Sequence, residues 1–298
     1  MKLADRIAVV TGASRGAGRG VAVELGAAGA TVYVTGRSTR GTGAPPAYGR
    51  FLEHAGMAAM PGTIDDTADA VTAAGGRGIA VPCDHSDPEQ VGALFARVER
   101  ERGRLDVLVN NAWGGHESFT VDTLSTPFWE QPLSHWDAMF DRGVRNHLLA
   151  CRAAAPLLVR QRRGLIAATT FWDRGRYLQG NLYYDVAKAA LNRIAFGVAE
   201  ELRPHGVTSL ALSPGWMRTE LILAAFKTDE DHWRDVPPLA RTESPRYLGR
   251  AVVALAADPA VLAKSGGVYA VGDLAVEYGF TDIDGRVVPP FEMPSESS

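Results

Sequence analysis

Residues 7–25 read IAVVTGASRGAGRGVAVEL, and this stretch decides the predicted fold. The apolar run Ile7–Val10 has the composition of a buried strand, and the residues up to Leu25 have that of a helix. Glycines in the intervening turn let the backbone approach a ligand closely, and the helix that follows offers unpaired N–H groups and a positive dipole end. The stretch therefore predicts a phosphate-binding turn, although a purely structural glycine turn explains the spacing of Gly12, Gly16 and Gly18 nearly as well.

The rest of the chain repeats this alternation of short apolar runs and longer helical stretches. The further strand candidates are Thr31–Thr35, Gly78–Pro82, Leu105–Asn110, Leu165–Thr170 and Val207–Leu212. They carry Val and Ile at both alternating positions, as strands covered by helices on both faces do. Such βαβ units predict a doubly wound parallel sheet in three layers. No linker interrupts the pattern, so we expect residues 1–298 to form a single α/β domain.

Three long connections follow alternate predicted strands, at residues 39–64, 114–134 and 220–244. In a parallel sheet all three leave the carboxyl edge, where open α/β folds bind their ligands. A disordered insertion is the alternative interpretation, chiefly for the first connection. The stretch 286–298 is rich in Pro and Ser, and we expect it to be a flexible tail.

Charge and composition exclude several classes of protein. The 31 basic and 34 acidic residues give a net charge of −3, so we expect no binding to nucleic acid or to an anionic membrane. The two cysteines, Cys83 and Cys151, cannot form a disulfide framework, and no His or Cys cluster has metal-ligand spacing, so we expect no metal. Charged residues interrupt the first 20 positions and no apolar run of 18 follows, which predicts a cytoplasmic protein.

Tyr184 and Lys188 lie four residues apart in a predicted helix and therefore share one helical face. An ammonium group beside a phenol favours the phenolate and lowers its pKa, which is useful in acid–base catalysis. This pair alone carries little weight, because it arises by chance in many sequences of this length.

Five motifs together resemble the short-chain dehydrogenase/reductase family. They are Thr11–Gly18, Asp84, Asn110–Ala112, Tyr184 with Lys188, and Pro214–Thr219. The resemblance covers nearly the whole chain and implies a Rossmann-type fold, and residues 273–286 are similar to one branch of the family. It also implies hydride transfer to or from a nicotinamide ring. Tyr184 would exchange the proton with the reacting carbonyl or alcohol, and Lys188 would hold the nicotinamide ribose and lower the pKa of Tyr184.

The resemblance also assigns the cofactor-binding residues. Asp84 would bind the adenine, Asn111 would border the cofactor, and Thr219 would hold its nicotinamide end. The full predicted set is Gly12, Ser14, Arg15, Gly16, Ala17, Gly18, Arg37, Ser38, Asp84, Asn111, Tyr184, Lys188, Pro214, Gly215 and Thr219.

The sequence departs from the family at the catalytic serine, which lies some thirteen residues before the tyrosine. Phe171 stands there, preceded by Thr169 and Thr170. An insertion of one or two residues before Tyr184 would let a threonine hydroxyl polarise the carbonyl, and we assign this catalytic role to Thr170. The alternative is that Thr170 is a β-forming residue that only ends a strand.

A second departure concerns an asparagine that normally follows Trp136 by seven residues and holds a water beside the lysine. Gly143 occupies this position. Asn146, one helical turn further on, is the candidate substitute. Catalysis would be altered if neither residue took over this role.

The choice of cofactor follows from charge. Sites that prefer NAD bind the ribose hydroxyls with an acid near the end of the second strand, but no acid occurs between Glu24 and Glu53. Arg37 ends that strand instead, with Arg15 in the glycine turn and Arg40 close by. Guanidinium groups suit a phosphate dianion, so the sequence predicts that NADP(H) is preferred over NAD(H).

Aromatic residues beyond the strand ends predict an apolar pocket for a bulky ketone or aldehyde. They are Trp113, Phe171, Trp172, Tyr177 and Trp216, with His116, Glu117 and Asp122 as polar rim candidates. The main prediction is an NADP-dependent oxidoreductase acting on CH–OH donors, forming a homodimer or homotetramer as the family resemblance implies. One alternative is an NADP(H)-binding regulatory or scaffold protein with weakened catalysis. Another is a nucleotide-binding module without nicotinamide chemistry, which leaves Tyr184 and Lys188 unexplained.

Overall fold

A parallel seven-stranded sheet forms the centre of the protein. The computed structural model describes residues 2–42, 52–53, 55–117, 126–172, 174–178 and 181–292. Its strands are β1 Ile7–Val10, β2 Thr31–Gly36, β3 Arg77–Pro82, β4 Val107–Asn110, β5 Gly164–Thr169, β6 Val207–Ser213 and β7 Val268–Ala270. Their order in the sheet is 3-2-1-4-5-6-7, and all neighbouring pairs are parallel. The predicted doubly wound, Rossmann-type sheet is confirmed.

Helices cover both faces of this sheet. They are α1 Gly16–Ala27, α2 Ile64–Ala73, α3 Pro88–Arg102, α4 Leu133–Met139, α5 Arg145–Gln161, α6 Leu182–Leu202, α7 Glu220–Ala225, α8 Pro245–Ala257 and α9 Val271–Tyr278. Helices α1, α2, α8 and α9 pack on the face that contains Val10 and Val34. Helices α3, α5 and α6 pack on the face that contains Val9 and Ile166. The three predicted layers are therefore present, and the central strands β1 and β4 are buried along their whole length.

One π-helical turn, Phe140–Val144, joins α4 to α5 without a break in the helix. Such turns in an α-helix often lie at functional sites. Gly143, where the family has its asparagine, is buried in this turn. The π-helical turn adds a residue to the helix, so the side chains of α5 are rotated about the helix axis relative to those of α4.

The third long connection, residues 220–244, is folded rather than open. It contains α7 and two short 3₁₀ turns, and its Leu223, Trp233 and Leu239 form a small buried cluster. Strand β7 was not predicted, because three residues are too few to show a periodic pattern. Parts of the other two connections, residues 43–51, 54 and 118–125, lie outside the described residues.

The first residues of the predicted tail contact the rest of the protein. Val288 is only 4% exposed, and its backbone N–H and carbonyl both bond the Tyr247 hydroxyl at 3.2 Å. The Arg286 guanidinium donates to the carbonyls of Ala240 and Thr242, both at 2.9 Å. Residues 286–288 are therefore held by these contacts with α8 and with the 220–244 connection, and the flexibility of the tail stays a prediction. Residues 293–298 lie outside the described part of the chain.

Within the described ranges, each helix is too short or too polar to span a lipid bilayer. The same ranges contain no group of three His, Cys, Asp or Glu side chains placed to bind one metal ion. Cys83 and Cys151 are both buried free thiols, and burial raises the pKa of each to about 12. Both cysteines are therefore neutral and pack as small core residues.

Candidate active site

A cavity of about 430 Å³ lies beyond the carboxyl ends of β1 and β4, where the strand order reverses. This switch point is where open α/β sheets bind ligands. Many predicted cofactor residues line the cavity: Gly12, Ser14, Arg15, Gly16, Ala17, Arg37, Ser38, Asp84, Asn111 and Thr219. Gly18, Pro214, Gly215, Tyr184 and Lys188 are not part of the lining. The structure thus brings together most of the predicted set but separates the catalytic pair from the glycine turn.

The glycine turn is held by the end of β4. Gly12 has φ +64°, and a Cβ there would lie 2.7 Å from the Ala112 Cα, so this position requires glycine. The Thr11 hydroxyl accepts hydrogen bonds from the backbone N–H groups of Asn111 at 2.9 Å and Ala112 at 3.0 Å. The Asn111 amide donates in return to the carbonyl of Gly12 at 3.1 Å. Thr11 was not among the predicted site residues, and its role depends on a contact across the sheet.

A carboxylate already occupies the anion-binding end of α1. The Glu220 Oε2 accepts a hydrogen bond from the Gly16 N–H at 3.0 Å, at the first residue of the helix. The unpaired N–H groups and the helix dipole favour an anion there, so the terminus has the chemistry that a pyrophosphate needs. Glu220 was not predicted, because 204 residues separate it from Gly16 and no local pattern indicates the contact.

Basic side chains gather at the end of β2. The Arg15 Nη2 donates to the Ser38 hydroxyl at 2.7 Å and to the Gly62 carbonyl at 3.1 Å. Arg37 forms an ion pair with Glu117 and lines the cavity. Arg40 was predicted to lie close to these arginines, but it does not join them. It pairs with acids of α2, with Asp66 at 2.8 Å, because these acids face it in the first turns of that helix.

Asp84 follows β3 and lines the same cavity. Its Oδ1 accepts hydrogen bonds from the Ser86 backbone N–H at 2.9 Å and from the Ser86 hydroxyl at 2.7 Å. Burial alone raises the pKa of Asp84, but these hydrogen bonds outweigh it and hold the pKa below its usual value. Asp84 therefore presents an ionised carboxylate at the edge of the cavity.

Tyr184 and Lys188 meet on one face of α6, as predicted. The Lys188 Nζ lies 5.2 Å from the centre of the Tyr184 ring and 3.7 Å from the centre of the Trp113 ring. Burial lowers the pKa of Lys188 to about 7 and raises the pKa of Tyr184. Burial of Tyr184 therefore opposes the lowering of its pKa that the neighbouring ammonium group would cause, because burial disfavours the phenolate.

Three aromatic rings, Trp113, His116 and Tyr184, form a cluster beside Lys188. Trp113 meets Tyr184 edge to face, with ring centres 5.7 Å apart at 85°. The His116 ring stacks on Tyr184 at 5.0 Å and 28°, and its Nδ1 accepts a hydrogen bond from the Trp113 indole N–H at 3.1 Å. Trp113 and His116 also line the cavity, so the cluster connects the cavity with the catalytic pair. The sequence predicted both residues near the substrate, but not their contacts with Tyr184.

Thr170 does not direct its hydroxyl group to this cluster. The hydroxyl donates to the backbone carbonyl of Lys188 at 3.2 Å, and the residue is 3% exposed. Thr169 is the last residue of β5, so Thr170 begins the following connection. The geometry gives Thr170 a role in fixing α6 to the sheet, and this bond would have to break before the hydroxyl could donate to a substrate.

The Trp113 ring leaves no room for a side chain at position 143, where the protein has Gly143. A Cβ at this position would lie 2.5 Å from the Trp113 Cζ3, so the indole ring occupies the space that a side chain would need. Asn146 lines the cavity and donates from its amide to the Arg142 carbonyl at 2.6 Å. Its buried Oδ1 has no hydrogen-bond partner among the described residues. Asn146 is therefore near the cavity, but the structure does not show it beside Lys188.

Of the predicted pocket aromatics, Trp113 lines the cavity. The ring centres of Phe171 and Tyr184 are 6.3 Å apart, and Trp216 packs against Phe226. Tyr177 is exposed. Glu117 lines the cavity as expected, whereas Asp122 lies outside the described residues. Fewer of the predicted aromatic residues therefore line the cavity than the sequence predicted.

The turn of Pro214 and Gly215 rests on a buried acid. A Cβ on Gly215 would lie 2.7 Å from the Glu243 Oε2, so the carboxyl group approaches this backbone closely. Burial raises the pKa of Glu243 to about 8, so it is mostly protonated at neutral pH. Thr219 caps α7 and lines the cavity beside the glycine turn.

Comparisons with known proteins agree with this geometry. A family model described as enoyl-(acyl carrier protein) reductase matches residues 53–270. Dehydrogenase/reductase SDR family member 1 of Mus musculus is 41% identical over 293 residues, which covers 96% of this chain and 86% of that protein. The family-model match begins after the glycine turn and includes Tyr184 and Lys188, whereas the match to the mouse protein covers nearly the whole chain.

Solved structures with the same fold are also similar. A short-chain dehydrogenase from Mycobacterium thermoresistibile aligns with a TM-score of 0.76 at 25% identity, covering 96% of this chain and 92% of that one. A metagenomic short-chain oxidoreductase in complex with NADP aligns with a TM-score of 0.63 at 26% identity, covering 87% and 93%. The chain therefore belongs to the short-chain dehydrogenase/reductase family, whose members are oxidoreductases that use a nicotinamide cofactor.

Proposed function

We propose that this protein is an NADP(H)-dependent oxidoreductase that interconverts a carbonyl compound and an alcohol. The observation that carries the proposal is the cavity itself, which joins the anion-binding end of α1 to the aromatic cluster around Tyr184. One end has the chemistry of a phosphate site, and the other is lined by Trp113 and His116, which pack against a proton donor beside a cation. Family membership supports hydride chemistry between these two ends.

The residues around the cavity fit a dinucleotide. The Glu220 carboxylate on the Gly16 N–H marks the place of the pyrophosphate, because both groups are anions that need the same donors. Arg15, Arg37 and Ser38 would hold the 2′-phosphate that distinguishes NADP from NAD. Asp84 would take the adenine side. The related oxidoreductase in complex with NADP supports the same choice of cofactor.

Bound NADPH supplies the hydride, and the chain supplies the proton. The raised pKa of Tyr184 keeps its hydroxyl protonated at neutral pH, as a proton donor requires. As the proton leaves for the carbonyl oxygen, negative charge develops on the Tyr184 Oη. The ammonium form of Lys188 lies against the same ring cluster and stabilises this charge. With its pKa near 7, the Lys188 Nζ is also able to pass a proton onward.

The proposed substrate is a bulky, largely apolar ketone or aldehyde. Trp113, Met217 and Leu221 line the cavity and give it an apolar wall beside the aromatic cluster. Small polyols would leave these side chains in contact with water and would gain less from binding.

A panel of ketones and aldehydes tests the proposal, with cofactor oxidation followed for NADPH and NADH and cofactor binding measured by fluorescence. We expect turnover of apolar carbonyl compounds with NADPH and loss of that turnover in Tyr184→Phe. Tight NADPH binding without turnover across the panel would contradict the proposal and favour the regulatory or scaffold alternative. Failure to bind either cofactor would contradict both.

We also propose a single domain over residues 1–298, a homodimer or homotetramer and a cytoplasmic location. The oligomer is supported by family membership, since these proteins are commonly oligomeric. Light scattering coupled to size-exclusion chromatography distinguishes these assemblies from a monomer of 31.8 kDa.

A further inference from the structure

Glu117 joins two parts of the cavity wall through two ion pairs. Its Oε1 pairs with the Arg37 guanidinium, and its Oε2 pairs with the Arg142 Nη1 at 3.1 Å. All three residues line the cavity, and the Glu117 side chain is only 11% exposed. A carboxylate so far removed from water needs such partners, because an unpaired buried charge is costly. If one arginine is taken away, Glu117 therefore depends on the other.

The pair with Arg37 links the two sides of the glycine turn. Arg37 follows β2 and Glu117 follows β4, and both of these strands pair with β1, whose end leads into that turn. The two residues are 80 positions apart in the chain. Arg37 is also the residue that the proposed function assigns to the 2′-phosphate of NADP. In the structure, a carboxylate thus holds the guanidinium that this phosphate would need.

The pair with Arg142 is supported by local backbone contacts. The Gly114 N–H donates to the Arg142 carbonyl at 2.9 Å, and the Glu117 N–H donates to the Gly114 carbonyl at 3.3 Å. These bonds fix the turn 114–117 against the π-helical turn that contains Arg142. Within the described part of the chain, no backbone bond ties Glu117 to Arg37 in the same way. Of the two ion pairs, the one with Arg37 is therefore the easier to break.

A 2′-phosphate would compete with Glu117 for Arg37. Both anions accept hydrogen bonds from a guanidinium, but the phosphate carries more negative charge and has three acceptor oxygens. The two anions would repel each other if both stayed on Arg37. Withdrawal of Glu117 to Arg142 removes this repulsion and leaves each anion with one arginine. NADH has a hydroxyl group in place of the phosphate, so it does not compete for Arg37 as an anion.

We propose that Glu117 is a specificity-determining residue that releases Arg37 to the 2′-phosphate of NADPH and withdraws to Arg142, and that Arg142 is the positioning residue that holds it there. The inference rests on the proposed function, because it concerns the cofactor choice of the same site. Glu117 lowers the preference for NADPH, since the phosphate must first displace it. Arg142 restores part of that preference by holding the displaced carboxylate. Glu117, a polar rim candidate of the substrate pocket in the sequence, thus acts on the cofactor instead.

Two adenosine nucleotides test the competition without hydride transfer. Adenosine 2′,5′-bisphosphate carries the 2′-phosphate and adenosine 5′-monophosphate lacks it, so calorimetric titrations with both isolate the contribution of that phosphate. Glu117→Gln removes the competing charge and keeps the shape of the side chain. We expect it to tighten binding of the bisphosphate by about three- to tenfold and to change binding of the monophosphate by less than about twofold. An unchanged or weaker affinity for the bisphosphate, or an equal gain for both nucleotides, would overturn the proposal.

The role of Arg142 is tested through its dependence on Glu117. Arg142→Ala leaves Glu117 with Arg37 alone, so it should weaken binding of the bisphosphate by about three- to tenfold. Arg142→Lys keeps the charge and should restore part of the loss. In the Glu117→Gln background, Arg142→Ala should have a much smaller effect, because no carboxylate remains to be held. A loss of equal size in both backgrounds would refute the positioning role of Arg142.

Glu99→Gln and Arg152→Ala are matched controls. Glu99 forms an ion pair with Arg160 between α3 and α5, and Arg152 is exposed on α5. Neither Glu99 nor Arg152 belongs to the described lining of the cavity. Both substitutions should leave the affinities for the two nucleotides unchanged.

Failure of this inference is distinguishable from failure of the proposed function. If the parent reduces carbonyl compounds with NADPH and Glu117→Gln does not change the affinity for the bisphosphate, the competition is refuted and the function stands. If the parent reduces none of the panel but the variants shift the affinity for the bisphosphate as expected, the competition stands and the reduction fails. If neither the bisphosphate nor NADPH binds to the parent, both proposals fail.

Discussion

The two ends of the cavity differ in the chemical groups that form them. At the ends of β1 to β3, backbone groups provide the anion site, with the Gly16 N–H at the start of a helix and Gly12 packed against Ala112, and charged side chains such as Arg37 and Asp84 line the cavity next to it. At the ends of β4 to β6, side chains form it, with the rings of Trp113 and His116 packed around Tyr184. A backbone site recognises phosphate in general, whereas a side-chain site selects a reaction. Departures from the family motifs accordingly fall in the second end.

The largest expected effect is a loss of carbonyl reduction without a loss of NADPH binding. Tyr184→Phe removes the proton donor from the side-chain end, so single-turnover reduction should slow by about 10² or more. NADPH affinity, measured by fluorescence titration, should stay nearly unchanged, because the backbone end is intact. Tyr183→Phe is the matched control, since the Tyr183 hydroxyl donates to the Phe128 carbonyl instead. Substantial turnover in Tyr184→Phe would show that the two ends do not divide the work in this way.

The next effect tests the packing of Trp113 on the π-helical turn. Gly143→Ala places a methyl group against the indole ring, and overpacking of this kind costs about 1 to 3 kcal/mol in the free energy of unfolding. Gly92→Ala in α3 has no atom within 4 Å of the new methyl group, so it should stabilise the protein by roughly 0.5 to 1 kcal/mol. Urea unfolding measures both changes. Equal changes of the same sign in both variants would refute the tight contact at Gly143.

A smaller effect is the difference in affinity between NADPH and NADH at the phosphate-binding end of the cavity. We expect NADPH to bind at least tenfold tighter than NADH, a difference of about 1.4 kcal/mol, and Arg37→Ala to remove most of that preference. Arg40→Ala should leave the ratio unchanged, because Arg40 is paired with Asp66 and Asp69 on α2. Titrations of each variant with both cofactors provide the ratios. Equal affinities in the parent protein would rule out the assignment of NADP(H).

The smallest effect concerns the carboxylate at the start of α1. Glu220 must leave the Gly16 N–H before a phosphate can bind there, so its charge competes with the cofactor. Glu220→Gln weakens this competition, and a helix terminus discriminates charge by about 0.3 to 1 kcal/mol, so the Kd for NADPH should fall about two- to fivefold. Asp231→Asn changes the net charge equally at an exposed site and should not alter the Kd. Weaker binding by Glu220→Gln would instead make Glu220 part of the cofactor site.

The backbone end was largely predictable from the sequence. The glycines of residues 11–18 predict a tight turn at a strand–helix junction, and Gly12 adopts the positive φ that such a turn needs. Asp84 and Asn111 follow strands, so their place at the carboxyl edge follows from the parallel sheet. Glu220 was missed because its contact with Gly16 depends on the fold of a distant connection.

The side-chain end was predictable only in part. The spacing of Tyr184 and Lys188 places them on one helical face, and the structure confirms this. The direction of the Thr170 hydroxyl depends on the exact position of α6, which no local pattern records. The contact of Trp113 with His116 depends on the π-helical turn at Gly143, because the ring fills space that a regular side chain would occupy. Contacts of this kind are decided by packing rather than by local propensity.

The transfer of deuterium from NADPH labelled at C4 of the nicotinamide tests the central claim most directly. In a single turnover with a reducible apolar ketone, the account predicts deuterium on the new carbinol carbon of the product. Under the same conditions Tyr184→Phe, saturated with the labelled NADPH, should form little labelled alcohol. Saturation of the parent protein with NADPH without any deuterium in the product would contradict the account, because the cavity would then bind the cofactor without using it.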